Sequence, residues 1–137
     1  MATASSLHAI VWARLSSISA IDVYDDEPPA TPATDPDGRV RKYAVLYGTS
    51  GNLYSTRLDG EQRCLLANYQ VTCVGGDHAR TLECVDAVRA GLVGVVTVDG
   101  AQRVIRAREE EAGPVRYDAG VWPPRHYVPL EFQLFAP

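Results

Sequence analysis

The stretch Cys64-Leu65-Leu66-Ala67-Asn68-Tyr69-Gln70-Val71-Thr72-Cys73-Val74-Gly75-Gly76-Asp77 decides the fold of this chain. From Cys64 to Val74 the residues alternate. Tyr69, Val71 and Cys73 face one way and Asn68, Gln70 and Thr72 the other, the period of a half-buried strand. Gly75-Gly76 then breaks the strand, and Asp77 stands where its carboxylate can accept a hydrogen bond from an unpaired N–H of a following helix. Over residues 77–92, Leu82, Val85, Val88 and Leu92 form the expected buried stripe, while Arg80, Glu83, Asp86 and Arg89 stay in water.

Downstream of that helix, residues 95–98 and 101–107 flank Asp99-Gly100. A two-residue Asp-Gly connection supplies the positive φ angles of a type I′ turn, so a hairpin is expected. Residues 126–135 form the last strand, with Val128, Leu130, Phe132 and Leu134 inward and Tyr127, Glu131 and Gln133 outward. Pro129 lacks an N–H and places this strand at a sheet edge. Upstream, Leu7, Ile10, Val11 and Leu15 predict an amphipathic helix over 5–16, with Trp12 at the margin of its stripe. A short strand is expected within 18–24. Another covers 40–47, with Tyr43, Val45 and Tyr47 on one face and Val40, Ala44 and Leu46 on the other, a covered interior strand.

Three segments read as loops: the proline-rich 28–38, the glycine-containing 48–63, and the polar 108–120. The segment 48–63 suits an extended loop or a loose hairpin. The whole is expected to be one α+β domain over 1–137, a mostly antiparallel sheet with two helices packed on one face. A chain of 137 residues buries about two-thirds of its unfolded surface. Its 46% hydrophobic and 22% charged residues match a folded globular chain.

Composition also bounds function. The formal net charge of −4 and the lack of an extended window that concentrates Lys and Arg argue against a phosphate-gripping nucleic-acid binder. No stretch approaches the roughly 20 apolar residues of a membrane span, and the start lacks a signal-like basic and apolar pattern, so a cytoplasmically made, soluble protein is expected. Cys64, Cys73 and Cys84 have no zinc or redox spacing and read as reduced, buried thiols. His8, His78 and His126 fall in no nucleophile motif, and no metal or nucleotide motif is present, so neither a catalytic residue nor a cofactor is expected. The acidic runs 25–27 and 109–111 read as solvated charge. Tyr47, Leu53, Tyr54, Tyr117 and Trp122 lie in or beside the loops, where large apolar side chains either anchor protein interfaces or fold the loop back on the core.

Several pieces, in order and spacing over nearly the whole chain, carry a resemblance. They are Val23-Tyr24-Asp25 with the proline-rich loop, residues 41–47, and Tyr69-Gln70-Val71-Thr72-Cys73-Val74-Gly75. Further on come Val88-Arg89-Ala90-Gly91-Leu92, Val98-Asp99-Gly100 and Pro123-Pro124-Arg125-His126-Tyr127. The chain resembles tail terminator proteins of long-tailed bacteriophages that infect actinobacteria. That resemblance implies a virion structural protein of the tail and neck: a homohexameric ring that caps the tail tube, ends its polymerisation and joins the head-completion, or stopper, protein. DNA would pass through its channel without specific binding, with Glu109, Glu110 and Glu111 facing the channel and repelling it. The segment 48–63 is longer than the family's pattern and is expected to meet the tail tube protein. The rival expectations are another neck protein (a head–tail connector or stopper), a small enzyme or toxin using His78 or His126, and a monomeric ligand-binding domain.

Overall fold

The computed structural model describes residues 2–48, 50–54, 64–108 and 113–136. Helix α1 (Ala4–Ser16) opens on a capping box in which Thr3 and Ser6 exchange side-chain and backbone hydrogen bonds. Leu7, Val11 and Leu15 from its inner stripe are fully buried. Helix α2 (His78–Leu92) is capped as its sequence predicts, the Asp77 carboxylate accepting the Arg80 N–H at 2.8 Å.

Two long strands carry the sheet, β4 (Cys64–Gly75) and β8 (Arg125–Ala136), paired antiparallel from Leu65 opposite Ala136 to Gly75 opposite His126. Each has two shorter strands on its other side. β2 (Tyr43–Tyr47) and β3 (Asn52–Tyr54) share β4, while β6 (Ala101–Ala107) and β7 (Arg116–Asp118) share β8. β1 (Asp22–Asp25) and β5 (Gly94–Val98) finish the order β1-β2-β4-β8-β6-β5. Both helices pack on one face, where Tyr69, Val71, Cys73, Leu130, Phe132 and Leu134 meet the helix stripes in one core. Burying each such leucine or phenylalanine is worth about 1.5–3 kcal/mol.

The expected α+β fold, mostly antiparallel with two helices on one face, is therefore what the chain adopts. The β5–β6 turn has Asp99 at φ 49° and Gly100 at φ 77°, the paired positive angles that Asp-Gly predicts. Arg14 ties α1 to the end of α2, donating from Nε to the Leu92 carbonyl at 2.9 Å and from Nη2 to that of Val93 at 3.3 Å, so that carbonyls left over at the helix end are satisfied.

Some local expectations need correction. β8 is an interior strand, not an edge. Its residues 128–130 fall between the stretches paired by β7 and by β6, so among the described residues Pro129 sits where a missing N–H costs no ladder bond. Leu82 is 43% exposed, because the helix turns Thr81 and Cys84 inward beside Val85, Val88 and Leu92. Val40 packs with Tyr43 and Val45, across the sheet from Ala44 and Leu46, since the extended run begins only at Tyr43. β1 lies parallel to β2, and the short strand β7 occupies part of the segment read as the 108–120 loop, whereas β3, antiparallel to β4, fits the loose-hairpin alternative for residues 48–63.

Candidate functional site

The outer face of the sheet carries a second apolar cluster, Val40, Tyr43, Val45 and Val74, with Tyr24, Tyr47 and Tyr127 partly buried around it. Tyr24 meets Tyr43 edge to face at 5.6 Å between ring centroids, the arrangement the ring quadrupoles favour. A shallow cavity of about 260 Å³ lies over this cluster, bounded by Tyr43, Tyr47, Val74, Val121, Arg125 and Tyr127. Among the described residues, the cavity over this face is also bordered by Pro28 of the proline-rich loop and by Asp118, at the start of the β7–β8 connection to which Val121 belongs.

That connection is held from below. Arg125 donates from Nη1 to the Tyr43 hydroxyl at 3.1 Å and from Nε and Nη2 to the Pro123 carbonyl, both at 3.2 Å. Asp118 accepts the Gly120 N–H at 2.9 Å, closing an Asx turn at its start. The result presents Trp122, 86% exposed, beside Tyr117 at 60% and Val121 at 41%. Under the apex a cleft of about 610 Å³ is walled by Tyr117, Trp122, Pro123 and His126 on one side and by Asp37 and Arg39 on the other. His126 lies against Tyr117 at 4.8 Å between ring centroids, with the rings tilted by 39°, and its Nδ1 is buried with no hydrogen-bond partner among the described residues.

The opposite wall is braced by charge. Arg80 reaches both carboxylate oxygens of Asp37, at 2.5 and 3.2 Å, and Arg39 bonds Asp77 at 3.1 Å. The Arg80 guanidinium, with the Arg39 backbone N–H, holds the Asp37 carboxyl below its usual range. The backbone N–H of Arg80 lowers Asp77 in the same way. Gly76 allows the loop to sit this close, since a Cβ there would lie 2.6 Å from the Arg39 Cβ.

Of the predicted interface residues, Tyr117 and Trp122 come together at this apex. Tyr47 lies half-buried on the outer cluster, and Leu53 is 48% exposed on β3, which pairs with the other end of β4. Tyr54 ends β3, and its side chain lies outside the described residues, as do Glu109, Glu110 and Glu111. His78 is exposed on the first turn of α2. His8 bonds the Asp25 carboxylate at 3.0 Å, a pairing across 17 residues that no local pattern signals. All three cysteines are buried. Hydrogen bonding to Cys84 and burial push the Cys73 thiol well above its usual value. Among the described residues no three His, Cys, Asp or Glu side chains converge as a metal site.

Sequence reasoning missed Arg125, which fixes the apex, and Val121, which widens it. It also missed Val95 and Val104, which lie directly opposite each other in the β5–β6 ladder and are 54% and 48% exposed. The run Val121-Trp122-Pro123-Pro124-Arg125 held the signal: an exposed aromatic among prolines, followed by a cation able to anchor it.

No family model and no curated protein matches the chain. One solved structure, of a protein whose name states no function, is 23% identical over 94% of this chain and 91% of its own, with a TM-score of 0.48.

Proposed function

We propose that the chain is a phage tail terminator, a subunit of a ring that caps the tail tube, stops its growth and joins the head-completion protein. The observation that carries this reading is the placement of large exposed apolar side chains at separate sites on one small core. Trp122, Tyr117 and Val121 stand on the β7–β8 connection, Val95 and Val104 on the β5–β6 ribbon, and Leu53 on β3. Exposed apolar groups at several distinct places suit a subunit that meets unlike neighbours, as a ring member touching two flanking copies, a tube below and a neck protein above must do. The resemblance in motif order adds to this.

In this reading Leu53 and the segment that follows it meet the tube protein, Glu109 to Glu111 line the channel, and the aromatic apex serves a lateral or upper contact. The test is to add the purified chain to polymerising tail tube protein. Tubes should stop growing and carry the chain at one end only. Tubes that elongate at an unchanged rate, with no chain at their ends, would refute the proposal.

A further inference from the structure

We infer that Trp122 of one copy seats in a cleft at the far end of α2 in a second copy, a head-to-tail contact that supplies the lateral interface of the proposed ring. The cleft arises from the gap in the sheet described above. Among the described residues no strand pairs residues 128–130 on that side and the Arg108 N–H reaches only the Glu131 carbonyl, at 2.8 Å, and there the structure opens into a recess of about 450 Å³. Leu130, Phe132 and Val93 form its apolar floor, and Arg89, Arg108 and Glu131 its polar rim. Its volume lies within the range of ligand-sized clefts, about 300–1,000 Å³.

Knob and recess match in chemistry. Trp122 is 86% exposed, and the Arg125 contacts fix the Pro123 carbonyl next to it, so the backbone that carries the indole has little freedom to lose when it docks. The recess offers an edge of the core to the indole and a guanidinium at Arg89 for its face. No carboxylate among the described residues pairs with Arg89, and the knob brings Asp118 with it, a charge complementary to that arginine. Arg108 is held by Glu131 at 3.2 Å and keeps the rim in place.

The two surfaces also lie apart. Gly76, at the N-terminal end of α2, lines the cleft under Trp122, whereas Arg89 and Val93, at its C-terminal end, line the recess. The helix has 15 residues, so the sites are separated by roughly 20 Å at about 1.5 Å per residue. A chain cannot fill its own recess with this knob. Contact between two unlike surfaces is heterologous and closes into a ring when the rotation per copy divides a full turn.

The test uses the full chain and two variants, Trp122→Ala, which keeps the recess, and Arg89→Glu, which keeps the knob. Both positions are exposed, and circular dichroism checks that each variant folds. By sedimentation the wild-type chain should self-associate as concentration rises, with its Trp122 emission shifting to the blue. Each variant alone should associate roughly thirtyfold more weakly, the scale of truncating an aromatic hot spot. Mixed, they should form heterodimers and nothing larger, because only one productive knob and one productive recess remain. A wild-type chain that stays monomeric at its solubility limit, a Trp122→Ala variant that associates like wild type, or a mixture without heterodimers would each overturn the inference. Association by this contact in a chain that leaves tube growth unchanged would instead spare the inference and sink the terminator reading.

Discussion

Arg125 and Tyr43 are joined by a 3.1 Å hydrogen bond that ties the β7–β8 connection to the outer face of the sheet, across 82 residues of sequence. The same guanidinium holds the Pro123 carbonyl, so one side chain sets the position of the exposed Trp122. Replacing Arg125 with Ala is expected to cost about 1–3 kcal/mol, the scale of hydrogen bonds from a charged donor, and Tyr43→Phe about 0.5–1.5 kcal/mol. Urea unfolding measures both. The Arg125→Ala variant should also lose self-association while remaining folded; a variant with wild-type stability and wild-type association would show that the apex is held by something else.

Gly75 lies where the end of β4 passes under the first turn of α2. A Cβ there would stand 2.6 Å from the Thr81 N and 2.8 Å from the Arg80 carbonyl carbon, both backbone atoms with little room to yield. The Thr81 hydroxyl meanwhile donates to the Asp77 and His126 carbonyls at 2.8 and 3.3 Å, locking helix to sheet. Gly75→Ala is expected to destabilise the protein by about 1–3 kcal/mol. A melting temperature unchanged from wild type would refute the close-approach explanation.

Much of this was legible locally. The alternation of residues 64–74, the Gly75-Gly76-Asp77 junction and the Asp99-Gly100 turn each specify their element with nearby residues. What failed depended on distant partners. Pro129 reads as an edge residue because a sequence does not reveal that two short strands leave a gap beside it. Leu82 reads as buried because its spacing fits, but where the sheet lies relative to α2 decides which side turns inward. Trp122 and Tyr117 could be picked out as exposed aromatics, whereas Arg125 beneath them takes its role from Tyr43, far away in the chain.

Acid should weaken the junction between the 35–39 loop and α2. Asp77 and Asp37 have carboxyls held below their ordinary values, by the Arg80 backbone N–H and the Arg80 guanidinium respectively. As pH falls the unfolded chain therefore binds protons first. The stabilisation is fully present above the ordinary aspartate value of about 3.9 and is lost as pH falls through the lower folded-state values. Asp77→Asn keeps a capping oxygen but removes one titration, so its urea midpoint should fall less steeply between about pH 6 and about pH 2. An acid limb as steep as that of wild type would contradict this.

Tyr69 is buried in the core with a hydroxyl that has no hydrogen-bond partner among the described residues, and burial pushes its ionisation up to about 12. Tyr69→Phe removes the unsatisfied group and should leave stability unchanged or raise it by about 1 kcal/mol. In the wild-type chain the unfolded tyrosine loses its proton near the ordinary value of about 10, before the folded one does, so stability falls as pH rises from there towards 12. The variant should lack that part of the alkaline loss. Marked destabilisation of Tyr69→Phe at neutral pH would reveal a partner for the hydroxyl.

The most direct test of the terminator reading is the tail-length distribution, by electron microscopy, of particles assembled with and without this chain. The account predicts that its loss leaves heads without tails and free tubes of irregular, excessive length, and that supplying the chain restores one uniform length. Tails of normal length joined to heads in its absence would contradict the account.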